Sequence, residues 1–262
     1  MRLTLADACS TVEGMERVEL HFHLLPGVDD GPADLAGSLA LAREAVADGT
    51  GLVTVTPHAR DTDVTLVPER TRELRAALAQ AGIDLEIRPG VELAWDDVAR
   101  VDDATLRELS HGPDDQRWVL LEAPLPGTGE LADFEDAARE LRDRGYGLLI
   151  GHPERSPAVT SAPGAVDRLL SAGDMLQLNA SSLTGYHGAV PRTFGLDLAR
   201  SGRAGVIASD AHAPVSRGPA LSAAVEILRR HGMPPAAAER MVAATPRRLV
   251  DEGLAPVRRL AA

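Results

Sequence analysis

Short apolar runs alternate with longer amphipathic stretches along most of the chain. The runs are four or five residues long and lack a strict polar-apolar alternation. That pattern is typical of strands buried on both faces of a parallel sheet. The runs predict seven strands, at 17–20, 52–56, 85–88, 118–121, 147–150, 175–178 and 204–208.

The stretches between these runs have the apolar spacing expected of helices. Asp34 is a candidate N-cap for the first helix, and Gly49 is a candidate stop signal behind it. Helices are predicted at 35–48, 68–80, 96–110, 131–144, 164–172, 189–201, 218–231 and 235–243, with a short one after Pro246.

Strands and helices alternate regularly, so the sequence predicts an α/β fold with a parallel sheet covered by helices. A distorted (β/α)7 TIM-like barrel fits better than a dinucleotide-binding sheet, because no Gly-x-Gly-x-x-Gly follows the first strand. The chain contains no internal repeat beyond this alternation and no linker. We therefore predict a single domain over 1–262, with residues 1–16 as an N-terminal extension of unknown role.

Composition excludes several classes of protein. The 262 residues are 44% hydrophobic and 25% charged, as in ordinary globular proteins. The net charge of −12 argues against a protein that binds nucleic acid through phosphate contacts. Cys9 is the only cysteine, which excludes a disulfide framework and a thiolate metal site. No signal peptide or membrane span is recognisable, so we expect a cytoplasmic protein without membrane insertion.

Histidines and carboxylates follow nearly every predicted strand. In a parallel barrel these strand ends meet at one mouth, and alternate residues such as His21 and His23 point the same way. Each residue alone would more often be a turn residue or an ion-pair partner. Their recurrence at six of seven strand ends favours a site for two or three divalent ions bridged by carboxylates. The candidates are His21, His23, Asp30, His58, Glu92, Glu122, His152, Asp210 and His212, with Asn179 at a further strand end.

The charge of such a site favours an anionic substrate. Its four carboxylates contribute −4 and three divalent ions would contribute +6, which leaves about +2. Arg155 and Arg217 follow two of the strand ends, and each could offer a planar fork to phosphate oxygens. The alternative is that Arg155 pairs with Glu154 and that Arg217 is solvated.

The residue types that are absent or misplaced exclude several catalytic mechanisms. All 27 lysine-plus-arginine positions are arginine, so Schiff-base catalysis, a Walker-type lysine and a carboxylated lysine bridge are excluded. A cysteine-based phosphatase needs an arginine six positions after its cysteine, and from Cys9 that position is Met15. The other three histidines, His111, His187 and His231, are predicted at the surface.

These strand-end motifs resemble those of the polymerase and histidinol phosphatase (PHP) superfamily. Within it they are most similar to the capsule-associated protein tyrosine phosphatases of bacterial exopolysaccharide operons. The resemblance runs from about residue 18 to the segment 246–249. It rests on HFH at 21–23, LPGVDDG at 25–31, TPH at 56–58, PGVE at 89–92, LLE at 120–122, GHPER at 151–155, QLNASSL at 177–183 and ASDAH at 208–212.

The resemblance implies a distorted seven-stranded barrel with three divalent metal ions, usually manganese, with iron or zinc as alternatives. It assigns His21, His23, Glu92 and Asp210 to one ion. Glu92, Glu122 and His152 would bind a second, and Asp30, His58 and His212 a third. Two positions depart from the family pattern, since Glu19 replaces the usual aspartate and Ala59 replaces a frequent second histidine. Glu19 is expected to support the ligands rather than to bind metal.

The function implied is phosphomonoester hydrolysis by a metal-bound hydroxide, with a phosphotyrosyl tyrosine autokinase of capsule assembly as substrate. Three alternatives stay open. Histidinol phosphate or another small phosphomonoester is one, and a non-catalytic, metal-stabilised binding or regulatory protein is another. A metal-dependent amidohydrolase shares the His-x-His start but often relies on a bridging lysine, which this chain lacks. The oligomeric state is not predicted.

Overall fold

A computed structural model describes residues 15–256, so the predicted N-terminal extension lies almost wholly outside the described residues. Over that range, eight strands form two sheets in which every paired strand is parallel. The first sheet contains β1 (Arg17–Phe22), β2 (Thr50–Val55) and β3 (Glu86–Pro89). The second contains β4 (Glu92–Leu93), β5 (Trp118–Glu122), β6 (Gly147–Gly151), β7 (Met175–Asn179) and β8 (Val206–Ala208). The predicted α/β class and parallel pairing are confirmed.

The sheet is interrupted where the sequence predicts the end of a third strand. Pro89 ends β3, and at Gly90 a Cβ atom would lie only 2.9 Å from His111 Nε2 and 3.1 Å from the Val55 carbonyl oxygen. The chain turns in this tight space, and Glu92 begins a separate strand that pairs with β5. Eight strands are therefore formed where seven were predicted, because this close approach cannot be seen in the sequence.

Isolated bridges join the two sheets at two places. At one place Phe22 bridges Ala211, and at the other His58 bridges Glu92. Since the two sheets meet at single bridges rather than along continuous ladders, closure into the predicted distorted (β/α)7 TIM-like barrel is not confirmed. The bridges nevertheless bring the carboxyl ends of β1 and β8 side by side, and they place the carboxyl end of β2 beside Glu92 at the start of β4.

Helices follow most strands, as predicted. The Asp34 carboxylate caps the first helix by accepting the Gly37 N–H at 2.9 Å, which confirms the predicted N-cap. The predicted helix at 96–110 is shorter, because Asp102 caps a new start within it. The helices are α1 (Leu35–Ala47), α2 (Val67–Gln80), α3 (Asp103–Leu109), α4 (Leu131–Asp143), α5 (Pro157–Thr160), α6 (Ala165–Ser171), α7 (Ala180–Thr184), α8 (Ala189–Arg200), α9 (Leu221–Arg230), α10 (Pro235–Arg240) and α11 (Ala244–Glu252).

A buried apolar cluster contains side chains from both sheets. Leu20 of β1 and Leu52 of β2 pack there with Trp118, Leu149 and side chains of α11. The indole N–H of Trp118 donates to the Leu249 carbonyl oxygen at 2.8 Å, which ties α11 to β5. Close packing of this kind gives the strand ends a rigid support. Within residues 15–256 no helix has the length and apolarity that crossing a membrane requires; the cytoplasmic location stays a prediction.

One of the three histidines predicted at the surface is buried. His111 is 8% exposed, because its backbone bridges Trp118 and its ring lies 4.8 Å from the indole. The surface prediction for His111 is therefore wrong. His231 is exposed as predicted, and His187 is half-buried.

Candidate metal centre

The predicted ligands converge where the carboxyl ends of the strands meet. His21 Nε2 lies 3.1 Å from Glu92 Oε1 and 3.3 Å from Asp210 Oδ1. His23 Nε2 lies 3.2 Å from Glu92 Oε2. The Glu92 carboxylate thus stands between the two histidines of β1 and the other ligands.

Each of the nine predicted ligands has a donor atom in at least one of four groups whose atoms lie within 4.8 Å of one another. Asp30, His58 and His212 form one group together with His23, close to the predicted third set. Glu122 groups with Glu92 and His58, whereas His152 groups with His21 and Asp210. The nine residues therefore lie together, while their division among individual ions stays a prediction.

Neighbouring acceptors orient the histidine rings. His21 Nδ1 lies 3.0 Å from Gln177 Oε1, and His23 Nδ1 lies 2.7 Å from Asp29 Oδ2. His212 Nδ1 lies 2.9 Å from the Asp210 carbonyl oxygen. An acceptor at Nδ1 favours the tautomer that carries its hydrogen there, which leaves the Nε2 lone pair free. All three Nε2 atoms are therefore poised as metal ligands.

The buried polar atoms test whether a metal fits. Within residues 15–256, the Nε2 atoms of His21, His23 and His212 and the Oε2 atom of Glu92 are buried without a hydrogen-bond partner. Lone pairs on nitrogen and oxygen face one another there, an arrangement that a cation relieves and a hydrogen bond does not. The donors are imidazole and carboxylate without thiolate, which suits divalent ions such as manganese, iron or zinc. The residues fit a divalent metal cluster.

The carboxylates and histidines of the cluster shift one another's pKa values. Against the effect of burial, the neighbouring carboxylates raise the pKa of His21 and His23, and that of His58 to about 10, and metal binding would displace these protons. Burial opposes ionisation of Glu92, but His21 and the other histidines outweigh it and hold its pKa well below the usual range. Burial and the charge of Glu92 raise the pKa of Glu122 to about 7. Burial lowers the pKa of His152 to about 4, and Arg155 lowers it further. His152 is therefore neutral at pH 7, as a metal ligand must be.

Three arginines surround the cluster, and each is paired with a candidate ligand. Arg155 Nη1 donates to Asp210 Oδ2 at 2.8 Å, and Arg217 Nη1 donates to Asp30 Oδ2 at 2.9 Å. Arg60, which sequence reasoning missed, donates to Glu122 Oε2 at 2.8 Å. All three guanidinium groups are partly exposed, so they stand between the cluster and solvent.

Neither alternative for the predicted arginines is found. Glu154 does not pair with Arg155, because its carboxylate is buried and accepts the Asn179 backbone N–H at 2.9 Å. Burial raises the pKa of Glu154 to about 7. Arg217 is bound to Asp30 rather than solvated.

The backbone is strained at two of the ligands. His152 and Asp210 have φ angles of 34° and 53°, a left-handed region that non-glycine residues seldom adopt. Glu19 stabilises the second of these turns, since its Oε2 atom accepts the Ser209 backbone N–H at 2.8 Å. Burial raises the pKa of Glu19 to about 8. Glu19 belongs to none of the four ligand groups, in keeping with a supporting role.

A hydrogen-bonded chain reaches Asp210 from His187. His187 Nε2 lies 2.9 Å from Ser181 Oγ, which donates to Asn179 Oδ1 at 2.6 Å. The Asn179 amide then donates to Asp210 Oδ2 at 2.8 Å. Burial and the charge of Arg155 lower the pKa of His187 to about 4, so its ring is neutral at pH 7. This series of hydrogen bonds orients the Asn179 amide towards Asp210.

Sequence reasoning missed the residues that act through a ligand. Asp29 accepts from His23 and also from the His58 backbone N–H, at 3.1 Å. Its only sequence signal is its position beside Asp30 in the paired aspartates. Gln177 opens the motif at 177–183, but the motif assigned it no role, and its partner His21 is 156 residues away.

A parallel α/β fold with a buried histidine-carboxylate cluster at its strand ends, lined by arginines, defines a metal-dependent hydrolase. The family model for capsular polysaccharide synthesis proteins, CpsB/CapC, matches residues 17–251. The chain belongs to this family.

Two relatives and one solved structure are similar over most of the chain. Tyrosine-protein phosphatase YwqE of Bacillus subtilis is 31% identical over 199 residues, which cover 74% of this chain and 77% of YwqE. The putative tyrosine-protein phosphatase CapC of Staphylococcus aureus is 28% identical over 76% of this chain and 78% of its own. A crystal structure from work on YwqE of B. subtilis and CpsB of Streptococcus pneumoniae, described as unique metal-dependent tyrosine phosphatases, has a TM-score of 0.72. It is 26% identical, and the match covers 92% of this chain and 100% of that one.

Proposed function

We propose that this protein is a metal-dependent protein-tyrosine phosphatase that hydrolyses the phosphomonoester of phosphotyrosine. The observation that carries the proposal is the convergence of all nine predicted ligands in groups within 4.8 Å, with arginines at their edge. Membership of the CpsB/CapC family and the names of YwqE and CapC support the reaction type. The overall match to the YwqE and CpsB work supports the same fold and the same metal dependence.

The proposed cofactors are three divalent ions, with manganese favoured and iron or zinc as alternatives. Bound ions would activate a water molecule and neutralise charge on the phosphoryl group. Glu92 and Asp210 are the proposed shared ligands, because each faces more than one histidine. Asp29 and Gln177 hold the two histidines of β1 in orientation, which sets where the ligand lone pairs point.

Arg155 and Arg217 are the proposed phosphate-binding residues. Both guanidinium groups reach the cluster, and Arg217 Nη2 also lies 3.5 Å from Asp210 Oδ2. Once the carboxylates are shared with metal ions, the same forks can bind phosphoryl oxygens and stabilise charge that develops on them. A tyrosyl leaving oxygen is less basic than an alkyl one, so its departure demands less from an acid at the site.

Two further parts of the proposal are the closure of the barrel and the identity of the substrate protein. We propose that the two sheets form one distorted barrel within a single domain, which the family match over 17–251 supports. The proposed substrate is a phosphotyrosyl tyrosine autokinase of capsule assembly. A family of capsular polysaccharide synthesis proteins and relatives named tyrosine-protein phosphatases support this choice of substrate class.

The test compares two substrates on metal-loaded protein. A phosphotyrosyl peptide and histidinol phosphate are supplied in turn to wild type, His152→Ala and His231→Ala after manganese is added. We expect the peptide to be the better substrate, with activity lost in His152→Ala and kept in His231→Ala, whose histidine is exposed and outside the cluster. Greater activity on histidinol phosphate would overturn the substrate assignment. Equal activity of wild type and His152→Ala would overturn the metal centre as the catalytic site.

A further inference from the structure

A pocket of about 240 Å³ opens beside the candidate metal centre, and Asp210 and Arg217 form part of its wall. The segments 181–186 and 214–220 supply most of the remaining lining. Sites that hold a whole drug-sized ligand are usually about 300–1,000 Å³. This pocket is therefore of a size to take one side chain rather than an extended small molecule.

A fixed turn holds Tyr186 on one side of this pocket. The Tyr186 N–H donates to the Ser181 carbonyl oxygen at 2.9 Å, and the Gly185 N–H donates to that of Ser182 at 3.0 Å. With Gly185 at φ 98°, these bonds form a Schellman motif at the end of α7. The residue in the place of Tyr186 often packs back on its own helix in such motifs. Here the tyrosine is 64% exposed instead.

A second fixed turn carries Val215, which also lines the pocket. The N–H groups of His212 and Ala213 both donate to the Arg217 carbonyl oxygen, at 2.8 Å and 3.3 Å. Gly218 allows the turn, since a Cβ atom there would lie 2.6 Å from the Pro214 carbonyl oxygen. Val215 sits at the tip and is 96% exposed. Two anchored turns thus present two large apolar side chains to solvent beside the candidate metal centre.

We propose that the pocket between Tyr186 and Val215 receives the aromatic ring of the substrate phosphotyrosine. The inference rests on the proposed function and names the part of the protein that selects an aryl over an alkyl phosphate. Arg217 belongs both to the pocket wall and to the edge of the cluster, so a phosphoryl group held at the cluster would lie next to the pocket. Apolar side chains that are exposed in the free protein gain from covering a ring, and aromatic pairs add a geometric preference.

The experiment measures a specificity ratio. The kcat/KM for a phosphotyrosyl peptide is divided by the kcat/KM for glycerol 2-phosphate, an alkyl phosphomonoester, on manganese-loaded protein. We expect Tyr186→Ala to lower this ratio about tenfold, the upper range for an aromatic pair. Tyr186→Phe should restore the ratio to within about twofold, because the pocket uses the ring and not its hydroxyl. The matched control is Val190→Ser, since Val190 is 68% exposed but does not line the pocket.

The possible outcomes distinguish failure of the pocket assignment from failure of the phosphatase proposal. A Tyr186→Ala ratio equal to that of wild type, or a similar fall in Val190→Ser, would overturn the pocket assignment while leaving the phosphatase proposal intact. Wild type that hydrolyses neither substrate would overturn the proposed function instead. In that case the pocket assignment is tested by calorimetry, which measures the binding of a peptide that carries phosphonomethyl-phenylalanine. Binding weakened about tenfold by Tyr186→Ala supports the pocket, and binding that is absent or unaffected overturns it.

Discussion

The carboxylate of Asp29 lies 2.7 Å from Nδ1 of His23, and this contact turns the Nε2 atom of the histidine towards Glu92. The Asp29 side chain is buried, and it also accepts N–H groups from Gly31 and His58. It therefore couples the loop after β1 to the loop after β2. A residue outside the proposed ligand set thus sets the direction of a proposed ligand.

Replacing Asp29 by alanine should weaken metal binding. Loss of a carboxylate that orients a ligating histidine typically costs about 10- to 100-fold in metal affinity. We expect a fall of that size in manganese affinity, measured by titration of metal-free protein. Asp84→Ala removes an exposed aspartate far along the chain and serves as the control. Equal manganese affinity in Asp29→Ala and Asp84→Ala would show that Asp29 does not support the centre.

Arg155 should contribute to phosphate binding through its planar guanidinium group as well as through its positive charge. Removing one group that stabilises developing charge costs about 10²- to 10³-fold in rate, so Arg155→Ala should lower kcat/KM by about 100-fold. Arg155→Lys keeps the charge but loses the planar fork, and we expect an intermediate value. Metal content is measured on the same samples, because Arg155 also contacts Asp210. A lysine variant as active as wild type would rule out the bidentate role.

Metal binding should stabilise the fold. A ligand at about 100 times its Kd adds about 2.7 kcal/mol, which for a protein near this size corresponds to a rise in Tm of about 5–10 °C. We expect calorimetry to show this difference between chelated and manganese-saturated protein. His152→Ala should reduce the shift, whereas His231→Ala should not. A Tm that does not respond to manganese in wild type would contradict a folded-state metal centre.

His111, which lies outside the candidate metal centre, should make the free energy of unfolding depend on pH. Burial lowers its pKa to about 3, with help from Arg88 and Arg117. Below the ordinary pKa of about 6.5 the unfolded state takes up a proton at His111 and the folded state does not. The contribution of His111 to the free energy of unfolding is therefore complete above pH 6.5 and is lost as the pH falls towards 3. Between pH 7.5 and 5.5 wild type should lose about 1.4 kcal/mol more than His111→Gln. Urea unfolding in the presence of chelator measures the difference, and parallel pH profiles would contradict it.

Sequence patterns predicted which side chains converge better than they predicted the sheet. Strand ends such as Glu92 and Asp210 are visible because a short apolar run stops at a polar residue. The break between β3 and β4 is not visible, since it depends on how closely Gly90 approaches His111. The burial of His111 was missed for the same reason, because only the folded chain places it against Trp118.

The residues that contact the candidate ligands were harder to predict than the converging side chains themselves. Gln177 and Arg60 act on His21 and Glu122, which are 156 and 62 positions away. No local pattern records a contact over such a separation. The left-handed backbone at His152 and Asp210 was equally hidden, because neither residue type demands it.

The most direct test of the metal centre combines elemental analysis with hydrolysis of an aryl phosphate. Protein purified without added metal is loaded with manganese, and the bound ions per chain are counted beside the rate. The nine converging ligands predict at least two divalent ions per chain and hydrolysis that depends on them. Fewer than two bound ions, together with no hydrolysis after manganese is added, would contradict the account.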